Sequence, residues 1–197
     1  MLTVIAIVIS YLLGSLSFSI LIAKWIKGID IRKHGSGNAG ATNTLRILGK
    51  GPAAAVFLLD IIKGVLAVLL GKWLVGGEWV PVVCGLAAII GHNWPVFFGF
   101  KGGKGIATTV GVIASLAFLP ALIAGIAAIL SIVITRFVSL GSLIFAALVP
   151  IIILLTSKPL PLLLASLLIC IFAFVRHRSN IVKLVQGNEN KLGARKQ

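Results

Sequence analysis

Ile106-Ala-Thr-Thr-Val-Gly-Val-Ile-Ala-Ser-Leu-Ala-Phe-Leu-Pro-Ala-Leu-Ile-Ala-Gly-Ile-Ala-Ala-Ile-Leu-Ser-Ile-Val-Ile-Thr135 carries no charge and one proline, Pro120. A helix needs about 20 apolar residues to cross the hydrocarbon core of a bilayer. The stretch is therefore one long kinked span or two short ones, 106–119 and 121–135. Around it the chain is apolar almost throughout. It is 59% hydrophobic and 11% charged, where soluble domains carry about 25% charged residues. Further apolar runs lie at 3–24, 53–71, 78–95, 138–156 and 160–175. Each must be helical, because a backbone in lipid can satisfy its polar groups only internally. The first run has no basic leader and is longer than a signal-peptide core, so it reads as a span. The expectation is an all-α, polytopic membrane helix bundle of about seven transmembrane helices, forming a single integral membrane domain over 1–197.

Charge decides between the two readings of 106–135. Net charge is +14, from 18 basic and 4 acidic residues. With two short spans and the N-terminus outside, every lysine and arginine except Lys63, Lys72 and Lys158 falls on the inner side. Fusing 106–135 would send the basic tail, Arg176 to Lys196, outside, against the positive-inside bias. The C-terminus is therefore expected in the cytoplasm. The basic excess also suits anionic lipid. Nucleic acid is not an expected partner, since no soluble basic face with interleaved aromatics exists. Cys84 and Cys170 sit inside apolar runs and read as packing residues.

This topology gathers three polar segments on the cytoplasmic side: 28–51, 91–106 and the C-terminal segment 176–197. The second, fourth and sixth spans begin there, and helix N-termini attract anions through unpaired N–H groups. The fourth span offers about 14 residues, roughly 21 Å of helix. Its Gly-rich entrance is expected to dip below the surface, lining a cavity.

In the first segment, Gly35, Gly37 and Gly40 are expected to adopt positive φ and turn backbone N–H groups inward, a nest for phosphate oxygens. Ser36, Asn38, Thr42 and Asn43 add short polar groups, and Arg46 can grip an oxyanion with its fork. The Gly35-x-Gly37-x-x-Gly40 match to a dinucleotide fingerprint has no preceding strand and no βαβ unit to support it. The plainer reading is a flexible loop before Pro52. In the second segment, Lys101-Gly102-Gly103-Lys104-Gly105 opens the fourth span. It is no Walker A loop, since Gly105 follows Lys104 where Ser or Thr is required. An amide nest with Lys104 as a point charge still suits one phosphate. His92 reads equally as a helix-end histidine, and Trp94, Phe97, Phe98 and Phe100 as an interfacial belt.

In the third segment, a helix continuing past Arg176 would place His177 and Asn180 on one face with Lys183 nearby. His177 is the candidate general base with Asn180 beside it; the plainer reading is a headgroup anchor. Ser142 reads as a catalytic candidate or as an N-cap of the sixth span. Asp60 and Lys63, three apart inside the second span, read as a structural ion pair. Arg136 reads as an orientation anchor. No metal or cofactor is expected.

Taken in order, Ser36-Gly-Asn-Ala-Gly-Ala-Thr-Asn-Thr-Leu-Arg46, Asp60-Ile-Ile-Lys-Gly64, Gly91-His-Asn-Trp-Pro-Val-Phe-Phe-Gly-Phe-Lys-Gly-Gly-Lys-Gly-Ile-Ala-Thr108 and Arg176-His-Arg-Ser-Asn-Ile181, with Gly187 and Glu189, resemble the bacterial acyl-phosphate-dependent glycerol-3-phosphate acyltransferases, the PlsY family. The resemblance spans nearly the whole chain. It departs at Lys183, where the family more often has arginine. It implies an enzyme of the bacterial inner membrane with its active site facing the cytoplasm. That enzyme would move a fatty acyl group from acyl phosphate to the sn-1 hydroxyl of glycerol 3-phosphate, giving 1-acylglycerol 3-phosphate and phosphate. The implied partners are acyl phosphate, glycerol 3-phosphate and membrane lipids, with a monomer as the working expectation. Two phosphate-bearing substrates fit two Gly-rich cationic loops. A transporter of an anionic metabolite or lipid is the alternative from another class. It would require sites at the midplane and an internal repeat, and no repeat is visible between the halves.

Overall fold

The computed structural model describes residues 1–156 and 158–193; Arg195 and Lys196 of the basic tail lie outside them. Among the described residues every regular element is helical. Five helical spans are long and apolar enough to cross a membrane, or six with the bent pair Leu160–Arg176 and Arg178–Val185 taken as one. Ile106–Leu116 is a shorter apolar helix. The chain sorts into two compact units, one from Met1 to Leu116 and one from Ala117 onward.

The first unit holds α1 (Leu2–Gly14), α2 (Phe18–Lys27), α3 (Ala41–Leu48), α4 (Lys50–Leu74), α5 (Trp79–Asn93) and α6 (Ile106–Leu116). The first apolar run is thus two helices, interrupted between Gly14 and Phe18. Serine marks the interruption. Ser15 Oγ donates back to the Tyr11 carbonyl at 2.9 Å, and Ser17 leaves helical geometry at φ −91°, ψ 90°. Such back-bonding offers the chain an alternative to the helical ladder.

Small residues let the helices close up. A Cβ on Gly14 would strike Ala88, and one on Gly91 would strike the Tyr11 carbonyl, so α1 and α5 run antiparallel in close contact. Between α4 and α6, a Cβ on Gly64 would meet the Thr108 carbonyl and one on Gly111 the Ile61 carbonyl. Close backbone approach through small residues is the usual route to helix association in lipid. Lys72 Nζ donates to the Ser115 carbonyl at 2.9 Å, which fixes α6 as parallel to the later half of α4. With Gly111 opposite Gly64, Ile106 lies near the level of Asp60. The start of α6 is therefore roughly 15 Å along α4 from Lys50, at 1.5 Å per residue. The short helix begins beside the middle of its long neighbour.

The second unit holds α7 (Phe118–Thr135), α8 (Val138–Leu155), α9 (Leu160–Arg176) and α10 (Arg178–Val185). The break expected at Pro120 lies instead at Ala117, whose φ −150°, ψ 85° leave the helix. Pro120 falls in the first turn of α7, where its missing N–H has no partner to lose. The third polar segment also departs from expectation. The helix does not run on straight past Arg176; α9 and α10 meet at 61°, with His177 at the elbow. Arg136, read as an orientation anchor, is a strap. It sits at φ 64° between α7 and α8, its Nη2 donates to the Leu192 carbonyl at 2.8 Å, and the Leu192 N–H donates to its carbonyl at 2.7 Å.

Candidate active site

In the first unit the first two polar segments fold against one another. The first rests on a small apolar core of Ile20, Ala23, Ile31 and Ala39, with Leu48 and Phe98 packed on it. Phe98, expected in a surface belt, is thus part of the support, while Phe97 and Phe100 are exposed. Asp30 caps the short turn Ile31–Lys33 by accepting from the Arg32 N–H at 3.0 Å. It also pairs with the Arg32 guanidinium at 2.8 Å. That hydrogen-bonded cation holds the Asp30 carboxyl down to about 2, and the carboxylate in turn raises Arg32 above its ordinary value. Arg32 Nη1 then crosses to the second segment, donating to the Phe98 carbonyl at 2.6 Å and the Lys101 carbonyl at 3.3 Å.

Arg32 was not among the residues singled out from sequence, because its neighbours Lys33 and Lys27 made it look like one more surface cation. The signal that could have found it is Asp30 two residues earlier. With only 4 acids in the chain, each one outside the membrane is informative.

The glycines divide by role. Gly35 and Gly37 take φ +63° and +72°, and Gly105 +81°, as a nest requires. Gly40 does not: at φ −163°, ψ 171° it is extended, a geometry open to any residue. Gly102 and Gly103 are needed for space. A Cβ on Gly102 would strike the His92 carbonyl, and one on Gly103 would strike His92 Nε2 and the Ala39 carbonyl. Gly103 is thus a point of close contact between the two segments. Its N–H donates to the His92 carbonyl at 3.1 Å.

Asn43, grouped from sequence with the substrate-binding residues, has another part. It is 0% exposed. Its oxygen accepts from the Ser36 N–H at 2.8 Å, and its Nδ2 donates to the Ile31 and His34 carbonyls at 3.1 and 3.0 Å. The amide shapes the loop from within. Thr42 and Asn38 are half-buried, Ser36 and Gly37 exposed. Arg46 is exposed in the last turn of α3; Lys101 is exposed and Lys104 half-buried at the entrance to α6. Two charge-bearing loops therefore converge where the N–H groups of α6 open, beside the middle of α4.

In the second unit, His177 is buried and its Nδ1 lies 2.8 Å from the Ala173 carbonyl. A carbonyl only accepts, so Nδ1 carries the hydrogen of the neutral ring and Nε2 is the basic nitrogen. Asn180 donates its side-chain amide to Glu189 Oε1 at 2.8 Å, and its N–H donates to the His177 carbonyl at 2.8 Å. Asn180 is tied to the His177 backbone and to Glu189, which only the motif resemblance had brought to notice. Ser142 is no N-cap: that position is Phe137, and Ser142 Oγ donates back to the Val138 carbonyl at 2.9 Å. Lys183 is exposed on α10. Among the described residues no group of three or more His, Cys, Asp or Glu could hold a metal ion.

Comparison with known proteins gives a consistent picture. A family model described as glycerol-3-phosphate acyltransferase matches residues 4–187. Glycerol-3-phosphate acyltransferases from Shouchella clausii and Halalkalibacterium halodurans are 58% identical over 193 residues and 56% over 194. Each alignment covers 95% of this chain and 94% of the relative. Crystal structures of PlsY (YgiH), an integral membrane glycerol 3-phosphate acyltransferase, are similar in fold at 38% identity. Its glycerol 3-phosphate form gives a TM-score of 0.93 over 97% of this chain and 96% of that one. Its lysophosphatidic acid form gives 0.90 over 97% and 95%.

Proposed function

Because this multi-pass membrane chain belongs to the glycerol-3-phosphate acyltransferase family, we propose that it acylates the sn-1 hydroxyl of glycerol 3-phosphate with acyl phosphate as donor. The product is 1-acylglycerol 3-phosphate, and the loops face the cytoplasm from the bacterial inner membrane. The observation that carries this reading is the convergence of two Gly-rich loops at Gly103, with Arg32 tying one to the other. Positive-φ glycines, the N-terminus of α6 and the cations Lys101, Lys104 and Arg46 supply what phosphoryl oxygens need.

Acyl phosphate is an activated mixed anhydride, so a direct transfer suffices. The hydroxyl oxygen attacks the acyl carbonyl carbon and the new ester C–O bond forms. The bond from that carbon to the phosphate oxygen breaks, and inorganic phosphate leaves. In our assignment the hydroxyl proton passes to His177 Nε2. The competing version sends it to a substrate phosphate oxygen. Holding two reactants in register can contribute about 7–11 kcal/mol, and N–H groups and cations stabilise the developing oxyanion and leaving phosphate.

The test is purified protein with glycerol 3-phosphate and acyl phosphate, following phosphate release, with acyl-CoA and acyl-carrier protein run as rival donors. Activity with acyl-CoA and none with acyl phosphate would refute the donor assignment. A folded His177→Ala variant with near-normal turnover would remove the histidine from the proton transfer.

A further inference from the structure

Two charges lie in the apolar middle of α4, where they are costly and seldom idle. Asp60 and Lys63 are 2% and 1% exposed. An ion pair on one helix would need nothing more, yet this one recruits two further elements. Lys63 Nζ lies 2.8 Å from Asp60 Oδ1, 2.8 Å from the Leu16 carbonyl and 3.0 Å from His92 Nδ1. The ammonium donates to the Leu16 carbonyl and His92 Nδ1, and the Asp60 carboxylate balances its charge as an ion pair. Leu16 is the residue whose carbonyl the α1–α2 interruption exposes. His92 is in the last turn of α5, at the mouth of the second polar segment.

The bonds fix the imidazole. Lys63 donates to Nδ1, so Nδ1 accepts and the neutral ring carries its hydrogen on Nε2. The Asp60 carboxylate, at 3.5 Å from Nδ1, is too far to take a proton from it. The other edge of the ring abuts the phosphate-holding loop, since Gly103 lies so close to Nε2 that a Cβ there would overlap it. The Gly103 N–H also donates to the His92 carbonyl, and the same glycine touches Ala39 of the first segment. His92 is therefore wedged between a fixed ammonium on α4 and the point where the loops meet.

We propose that Asp60, Lys63 and His92 are positioning residues for phosphate binding: the buried ammonium locks His92 as its Nε2–H tautomer, and that ring holds the Gly102–Gly105 loop in its binding shape. The inference rests on the reading of that loop as a phosphate site. It extends the pair from a structural bond to a device that sets substrate affinity.

The test uses the full chain purified in detergent, with the concentrations of acyl phosphate and glycerol 3-phosphate varied separately. The double variant Asp60→Asn/Lys63→Met removes both charges together and leaves no lone buried ion. His92→Leu removes the ring's polar edge, and His92→Asn keeps an acceptor near the Nδ1 position. The double variant and His92→Leu should each raise KM for one phosphorylated substrate about tenfold, with kcat within about threefold; His92→Asn should recover most of that loss. Unchanged KM for both substrates, or a loss confined to kcat, overturns the proposal. Lys104→Ala is run beside them. If it leaves both KM values unchanged, the phosphate-loop reading itself fails; if it raises KM while the other variants do not, only this inference fails. Should the variants not fold, nitrogen NMR of the histidine-labelled parent chain decides: His92 protonated on Nε2 alone supports the proposal, and a hydrogen on Nδ1 overturns it.

Discussion

Replacing Arg32 by lysine keeps the charge and removes the fork. The guanidinium reaches the Phe98 and Lys101 carbonyls from Nη1 while Nε and Nη2 hold Asp30. A lysine ammonium is a single point and cannot span both partners. Hydrogen bonds from a charged donor contribute about 1.5–3 kcal/mol when shielded from water. Arg32 is 26% exposed, so the low end applies, about 1.5 kcal/mol for the tie between the loops. At 1.4 kcal/mol per decade, the binding-competent arrangement loses about tenfold in weight, and apparent affinity falls with it. Arg32→Lys should therefore raise KM for a phosphorylated substrate about tenfold with little change in kcat. The assay is steady-state phosphate release with each substrate varied in turn. Arg32→Lys and Arg32→Ala variants that both keep parental KM for both substrates would refute the idea that this bridge shapes the site.

Three further outcomes follow from other contacts. Gly111→Ala forces a Cβ onto the Ile61 carbonyl, so the α4 and α6 backbones must part, at about 1–3 kcal/mol. Its thermal midpoint in detergent should drop, while Gly125→Ala, with open space at the Cβ, should match the parent. Glu189→Gln keeps an acceptor for the Asn180 amide whereas Glu189→Ala leaves that donor unmade, so turnover should survive the first and fall in the second. Asp30 sets an acid limit. Its folded carboxyl is held near 2 by Arg32 against an ordinary 3.8, so the stabilisation is complete above the ordinary value and is lost as pH falls through about 2. Carboxyl carbon NMR of Asp30 should show that depressed midpoint in the parent and a return toward 3.8 in Arg32→Ala.

The helical runs were readable because hydrocarbon leaves the backbone no choice, and their ends fell close to 3–24, 53–71 and 78–95 in the first unit. Their interruptions were not readable. The break near Ser15–Ser17 is written in serines, which helices tolerate, and the Leu16 carbonyl within it is taken by the Lys63 ammonium, which arrives from a different helix. The elbow at His177 carries no proline or glycine. Within the candidate site, residue type located the loops but not each side chain's task. Asn43 can bind a ligand or brace a loop with the same amide, and only its neighbours decide. Ser142 looked like a cap because serine follows glycine there, yet α8 starts at Val138 as read from sequence and Ser142 lies inside it, its hydroxyl turned back to the Val138 carbonyl. Arg32's bridging role was not readable because, apart from Asp30, its partners are carbonyls more than sixty residues away, and carbonyls leave no mark in a sequence.

The half-length of α6 has a bearing on traffic. Below the level where it starts, α4, α5 and α6 interlock through Gly64, Gly85 and Gly111 so tightly that no methyl group could be added without collision. That seam makes a floor under the loops. For the proposed reaction, that closed seam would bar a hydrophilic substrate held at Gly103 from passing further between these three helices.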